Sequence, residues 1–104
     1  MNTVAIFDPI KLPLPDAMGF FFHPDIPGDD ESDDVRALCK SIGFDVAVVD
    51  MEGDNELLSD AWHEDEDLTA PARWTPTPPN GEGWSLVAKY DTEDGPYAMF
   101  VRPL

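Results

Sequence analysis

The side chains best suited to hold a metal ion are His23, Cys39 and His63, which are far apart in the sequence. Zinc sites built from His and Cys use short ligand spacings, and no such pair occurs here. Cys39 falls on the apolar stripe of a predicted helix, which favours a core position over a ligand. His63 stands in an acidic run that could attract a divalent ion weakly. We expect neither a metal nor a cofactor.

Sequence signals for catalysis are absent. No Gly-x-Ser-x-Gly elbow presents a nucleophile, and no glycine-rich loop with a lysine is available to cradle phosphate. The segment 91–95 is acidic and ends in glycine, but it lacks the ligand register of a calcium loop, so it predicts a hairpin turn. With 22 Asp and Glu present, a pair of carboxylates is no evidence for acid–base chemistry. We therefore predict that the protein is not an enzyme.

The composition restricts the class of partner. The chain has 104 residues, 22 acidic and 6 basic, and a formal net charge of −16. Such a charge repels nucleic acid and anionic membrane surfaces, so we expect neither as a direct ligand. The apolar fraction of 42% is enough for the core of one domain, spanning residues 1–104.

The expected location is the cytoplasm, of a host cell if a phage or mobile element encodes the chain. A single cysteine, Cys39, cannot form an internal disulfide, which suits a reducing compartment. No apolar run has the length of a membrane span. The opening Met1-Asn2-Thr3 lacks the basic and apolar parts of a signal peptide.

The negative charge is concentrated in the middle of the chain. Between Asp25 and Asp67 lie 16 acidic residues against Arg36 and Lys40, a local net charge of −14 in 43 residues. One structural alternative is a solvated face. Another is adaptation to a salt-rich cytoplasm, which would spread acidic residues over the whole surface.

The functional interpretation is a mimic of DNA. Duplex DNA presents about one negative charge per 1.7 Å of its axis, and a carboxylate face can enter a groove built for phosphates. This hypothesis predicts a basic nucleic-acid-binding protein as the partner. The predicted contact residues are the acidic groups of two runs and the neighbouring tryptophan: Asp29, Asp30, Glu31, Asp33, Asp34, Glu64, Asp65, Glu66, Asp67 and Trp62.

In size, charge and lack of a catalytic motif, the chain resembles the small acidic inhibitors made by phages and other mobile elements, such as anti-CRISPR and anti-restriction proteins. The segments 81–84, 91–96 and 102–103 are also similar to the ends of phage-type proteins. The resemblance implies a non-enzymatic inhibitor, with a CRISPR effector as its first candidate target. It transfers no functional residue, because these inhibitors share no diagnostic motif.

Three consecutive phenylalanines support an alternative function. Phe20, Phe21 and Phe22 cannot all face one side of a strand. Either that strand is buried on both faces, or one ring is an exposed anchor for a partner or a second copy. The second case predicts a structural or regulatory interaction module of a phage or mobile element.

The pattern of elements predicts an α+β domain. Ser32 as N-cap, the apolar stripe Val35, Leu38, Cys39 and Ile42, and Gly43 as C-cap predict a helix over residues 33–42. A shorter helix is predicted over 56–63, capped by Asp54 or Asn55.

Strands are predicted over 4–7, 18–22 and 45–50, the last a central strand buried on both faces. A hairpin is predicted over 84–101, with Trp84, Leu86, Ala88 and Tyr90 on one face. The proline-rich connection 69–83 is expected to wrap the body around Trp74. The expected architecture is a mixed or antiparallel sheet of four to five strands with one or two helices.

Overall fold

A computed structural model describes residues 12–26 and 35–104. Within them, four antiparallel strands form one sheet in the order β1-β3-β4-β2, which confirms the α+β class and the C-terminal hairpin. The strand predicted over 4–7 and the acidic run 29–34 lie outside the described residues. In chain order the elements are β1 (Phe21–Phe22), α1 (Val35–Ser41), β2 (Phe44–Asp50), α2 (Met51–Asp54), α3 (Glu56–His63), α4 (Ala70–Arg73), β3 (Ser85–Thr92) and β4 (Gly95–Pro103).

The sheet separates two apolar clusters. One lies on the α1 side and contains Cys39, Val46, Val87, Ala88, Met99 and Val101. The other lies on the side of α2, α3 and α4 and contains Met51, Ala70, Trp74, Ala98 and Phe100. The alternation along β4 explains the division, since successive side chains of a strand point to opposite faces. None of the described helices is both long enough and apolar enough to cross a bilayer.

An irregularity in β3 changes which of its side chains share a face. The pairing of β3 with β4 shifts register between Leu86 and Ala88. As a result Leu86 packs with the Trp74 cluster, whereas Ala88 and Tyr90 pack with the Cys39 cluster. The prediction of one common face for Trp84, Leu86, Ala88 and Tyr90 is therefore wrong, because a β-bulge inserts one residue and reverses the alternation.

The helix α1 confirms part of the predicted stripe. Cys39 is fully buried and Gly43 has φ +92°, as expected for a core residue and a left-handed C-cap. Leu38 is only half-buried, and Ile42 is 41% exposed. Of these three stripe residues only Cys39 is fully buried, and the side chain of Val35 lies outside the described part of the chain. The predicted N-cap, Ser32, lies outside the described residues.

The strand β2 occupies an edge of the described sheet. It pairs with β4 alone within residues 12–26 and 35–104, and Val48 is 43% exposed. Along this strand only Val46 is fully buried, so the prediction that it is buried on both faces is wrong. Its apolar run reflects burial of Val46 against α1 and of Val49 against the opposite cluster.

The segment before β1 is a turn, so the strand predicted over 18–22 shortens to two residues. The Asp16 carboxylate accepts hydrogen bonds from the amides of Met18 and Phe20, at 2.9 Å each. Asp is suited to such a turn because its short side chain reaches the backbone two residues on. Gly19, with φ +89°, packs directly against α4.

Candidate protein-binding surface

The second acidic run follows α3, whose ends are both defined by specific hydrogen bonds. Asn55, one of the two predicted caps, is the N-cap of α3. Its side-chain oxygen accepts a hydrogen bond from the amide of Leu58 at 3.1 Å. After His63 the chain turns: Glu66 has φ +53°, and the amide of Asp67 donates to the carbonyl of Ala61 at 2.9 Å. This turn presents Glu64, Asp65 and Glu66 to solvent.

Asp67 differs from its three acidic neighbours because it is tied to α4. Its carboxylate accepts from Arg73 Nη2 at 2.7 Å and from the hydroxyl of Thr69 at 2.6 Å. These hydrogen bonds lower the pKa of Asp67 from its ordinary value of 3.8 to about 2. Asp67 therefore stabilises the loop, and only part of its surface is left for a partner.

The Asp67–Arg73 ion pair predicts how the stability of the fold changes at acid pH. Because the folded-state pKa is depressed, the contribution of Asp67 to stability is present above about pH 4 and is lost as the pH falls through about 2. A carboxyl-carbon NMR titration should place the Asp67 midpoint near 2, and Arg73→Gln should move it up toward 3.8. A midpoint that Arg73→Gln leaves unchanged would show that Arg73 is not the main cause.

A contact between α3 and the hairpin brings a second acidic segment to the same end of the molecule. A Cβ built on Gly95 would lie 2.9 Å from His63 Nε2, so the hairpin turn packs beside the end of α3. The turn carries Glu93 and Asp94, both exposed. We call the five residues Glu64, Asp65, Glu66, Glu93 and Asp94 the acidic end. Sequence reasoning missed the last two because the contact depends on tertiary packing.

Of the described basic side chains, Arg73 is the one placed beside this surface, and it is paired with Asp67. The others lie elsewhere in the fold or are buried. Arg36 donates to the carbonyl of Val46 at 2.8 Å, and Lys89 is buried beneath α4. Arg102 lies over the Trp84 ring at 4.5 Å and faces Asp45 at 3.8 Å. Between Asp45 and Asp67 the sequence contains ten acidic residues and no Lys or Arg. The field at the acidic end is therefore strongly negative.

Trp62 packs into the fold beside the acidic end. Its ring meets Phe20 edge to face, with centroids 6.0 Å apart, and it packs against the Trp74 cluster. The indole is half-buried, so only part of it can contact a partner. Its predicted role in binding stays a prediction.

The exposed phenylalanine of the triplet is Phe22, at 56% exposure. Its ring stacks on Tyr90 with centroids 5.6 Å apart and an interplanar angle of 23°. The two rings line an apolar groove of about 340 Å³ on the α1 side of the sheet. We call it the aromatic groove; its other lining residues are Ile26, Arg36, Val46, Val48 and Met99.

The three side chains weighed as metal ligands, His23, Cys39 and His63, lie in different parts of the fold. Cys39 is in the core, His63 lies at the hairpin turn, and His23 is buried with Nδ1 accepting from the amide of Asp25 at 3.0 Å. Within residues 12–26 and 35–104, no three His, Cys, Asp or Glu side chains are grouped so that they could hold an ion.

The chain was compared with protein-family models, with curated proteins and with solved structures. None of them matches it.

Proposed function

We propose that this protein is a non-enzymatic inhibitor that binds a basic nucleic-acid-binding protein, with a CRISPR effector as the first candidate. The observation that carries the proposal is the acidic end, where two segments distant in sequence place exposed carboxylates at the same end of the molecule. None of the five forms an ion pair with a described basic side chain. A surface of this kind matches the Lys and Arg side chains of a phosphate-binding groove. The inhibitor would then compete with DNA or RNA for that groove.

The contacts that hold the acidic end in place support this role. The loop after α3 is held by the Asp67 amide and by the Arg73 ion pair, and Gly95 packs against His63. Carboxylates on a fixed backbone lose less conformational entropy on binding than those of a flexible tail. The first acidic run, 29–34, lies outside the described residues, and its part in binding stays a prediction.

The test compares two variants with the same loss of charge. Glu64→Gln/Asp65→Asn/Glu66→Gln removes three charges from the acidic end, and Glu52→Gln/Glu56→Gln/Glu82→Gln removes three exposed charges elsewhere. Exposed ion pairs contribute about 0–1 kcal/mol each, so the first variant should weaken binding to a purified CRISPR effector by about 1–3 kcal/mol. The second should change it by less than about 0.5 kcal/mol. Biolayer interferometry across a salt series measures both.

The binding kinetics distinguish recognition by charge from recognition by apolar contacts. The acidic-end variant should associate more slowly and show a flatter dependence of affinity on salt, because peripheral charges steer encounter. Excess DNA should displace the wild-type protein from the effector. Equal losses in the two variants, or binding that DNA does not disturb, would contradict a DNA-like acidic end.

The aromatic groove favours a second candidate, an interaction module of a phage or mobile element anchored by Phe22. An exposed ring beside an apolar groove is a common anchor in protein interfaces. This candidate predicts that Phe22→Ala abolishes binding while the acidic-end variant binds as the wild type. The inhibitor hypothesis predicts the reverse order of effects.

A further inference from the structure

A second cavity, of about 400 Å³, lies on the opposite side of the sheet from the aromatic groove. It opens between the turn before β1, the chain after α4 and strand β3. Its walls are mostly apolar, with Phe21, Trp74 and Leu86 among the lining residues. The polar lining groups are Asp16, Thr75 and Lys89.

Lys89 is the unusual member of this cavity, because it is a charged side chain with only 7% exposure. Its Nζ donates to the carbonyl of Pro71 at 2.6 Å and to that of Trp74 at 2.8 Å. An ammonium has three donors, so these two carbonyls leave one of them unused. In the described part of the chain, no carboxylate forms an ion pair with Lys89.

The charge of Lys89 is therefore only partly compensated. Buried charges are normally paired, because removing an ion from water is expensive. Burial lowers the pKa of Lys89, the expected result when the charged form lacks a counter-ion. The two carbonyls are neutral dipoles, and the Trp74 ring centroid lies 6.0 Å from Nζ. An anion in the adjoining cavity would supply the missing charge.

We propose that this cavity binds a carboxylate attached to an apolar or aromatic group, with the Lys89 ammonium as counter-ion. The apolar walls fit the body of such a ligand, and a volume of this size accommodates a small molecule. The exposed Thr75 hydroxyl is a second donor at the rim. Asp16 also lines the cavity, and its carboxylate accepts from the amides of Met18 and Phe20. Its negative charge repels any anion, but it repels a doubly charged phosphate more strongly than a single carboxylate.

The test uses phenylacetate as the probe and phenylacetamide as its neutral analogue, with the full chain at constant ionic strength. Amide NMR shifts during titration report both affinity and location. We expect phenylacetate to shift the amides of Phe21, Trp74 and Lys89 and to bind at least about tenfold more tightly than phenylacetamide. Equal affinities, shifts confined to other regions, or no saturable binding would each overturn the proposal.

Two variants with the same loss of charge identify the counter-ion. Lys89→Gln should weaken phenylacetate binding at least about tenfold, whereas Lys40→Gln, at an exposed position of α1, should change it less than about twofold. If Lys89→Gln does not fold, Thr75→Trp takes its place, since a bulky ring at the exposed rim should block the cavity. Binding unaffected by either cavity variant, or equally weakened by Lys40→Gln, would overturn the assignment. The result is independent of the acidic end.

Discussion

Trp74→Ala is expected to lower the free energy of unfolding by about 3–5 kcal/mol, enough to unfold much of the protein at room temperature. Trp74 is only 2% exposed and packs against Met51, Ala70 and Phe100. Truncation of Trp74 would leave a large cavity between the sheet and α4. The surrounding backbone can relax into that cavity only in part, because the other residues of the cluster hold it in place. Urea unfolding followed by circular dichroism measures the loss.

Trp74→Phe retains an aromatic ring in the core and removes the indole N–H. The indole Nε1 donates to Asp54 Oδ2 at 2.8 Å, and the amide of Thr77 donates to the same oxygen at 2.9 Å. Burial raises the pKa of Asp54, but these hydrogen bonds outweigh it and hold the pKa below its ordinary value. Trp74→Phe keeps a six-membered aromatic ring, but it loses the pyrrole part of the indole and one hydrogen bond to a charged group. The lost hydrogen bond alone should cost about 1.5–3 kcal/mol. Wild-type stability in Trp74→Ala would place Trp74 outside the core.

Gly19→Ala is expected to destabilise the fold by about 2–5 kcal/mol, through two separate effects. Gly19 has φ +89°, where a side chain costs about 1–2 kcal/mol. A Cβ there would also lie 2.5 Å from Ala72 Cα and 2.7 Å from Ala72 N. Because these are backbone atoms, the turn and α4 must move apart, and such overpacking costs about 1–3 kcal/mol.

Gly43→Ala is the matched control. Gly43 has φ +92°, nearly that of Gly19, but a Cβ would find no atom within 4 Å. Its cost should therefore be the conformational part alone, about 1–2 kcal/mol. The difference between the two melting temperatures measures the close approach of the turn to α4. Equal losses in the two variants would show that this contact is loose.

The local elements followed from the sequence because their signals lie within a few residues of each other. Asn55 caps α3, Gly43 ends α1 with a positive φ, and the turn residues 93–94 close the hairpin. Caps and turns depend on backbone conformation and nearby donors, which the chain carries with it into any fold. The concentration of negative charge in the middle of the chain likewise follows from the order of the residues alone.

The predictions that failed concern features that depend on how the helices and strands are arranged in space. The bulge in β3 moved Leu86 to the other face from Ala88, because register is set by the partner strand. The run 45–50 is as apolar as a central strand, yet it lies at an edge of the described sheet. The position of a strand in a sheet depends on which strands pair with it, and its own residues do not specify that.

The candidate sites also combine features that the sequence determined with features that only the fold determined. The sequence by itself determined the acidic run, its charge and the lack of catalytic motifs. Only the tertiary structure brought the hairpin turn beside His63, selected Phe22 as the exposed ring and buried Lys89 under the carbonyls of Pro71 and Trp74, in and just after α4. The physical reason is that charge belongs to each residue, whereas burial and proximity belong to pairs of segments that meet only when the chain folds.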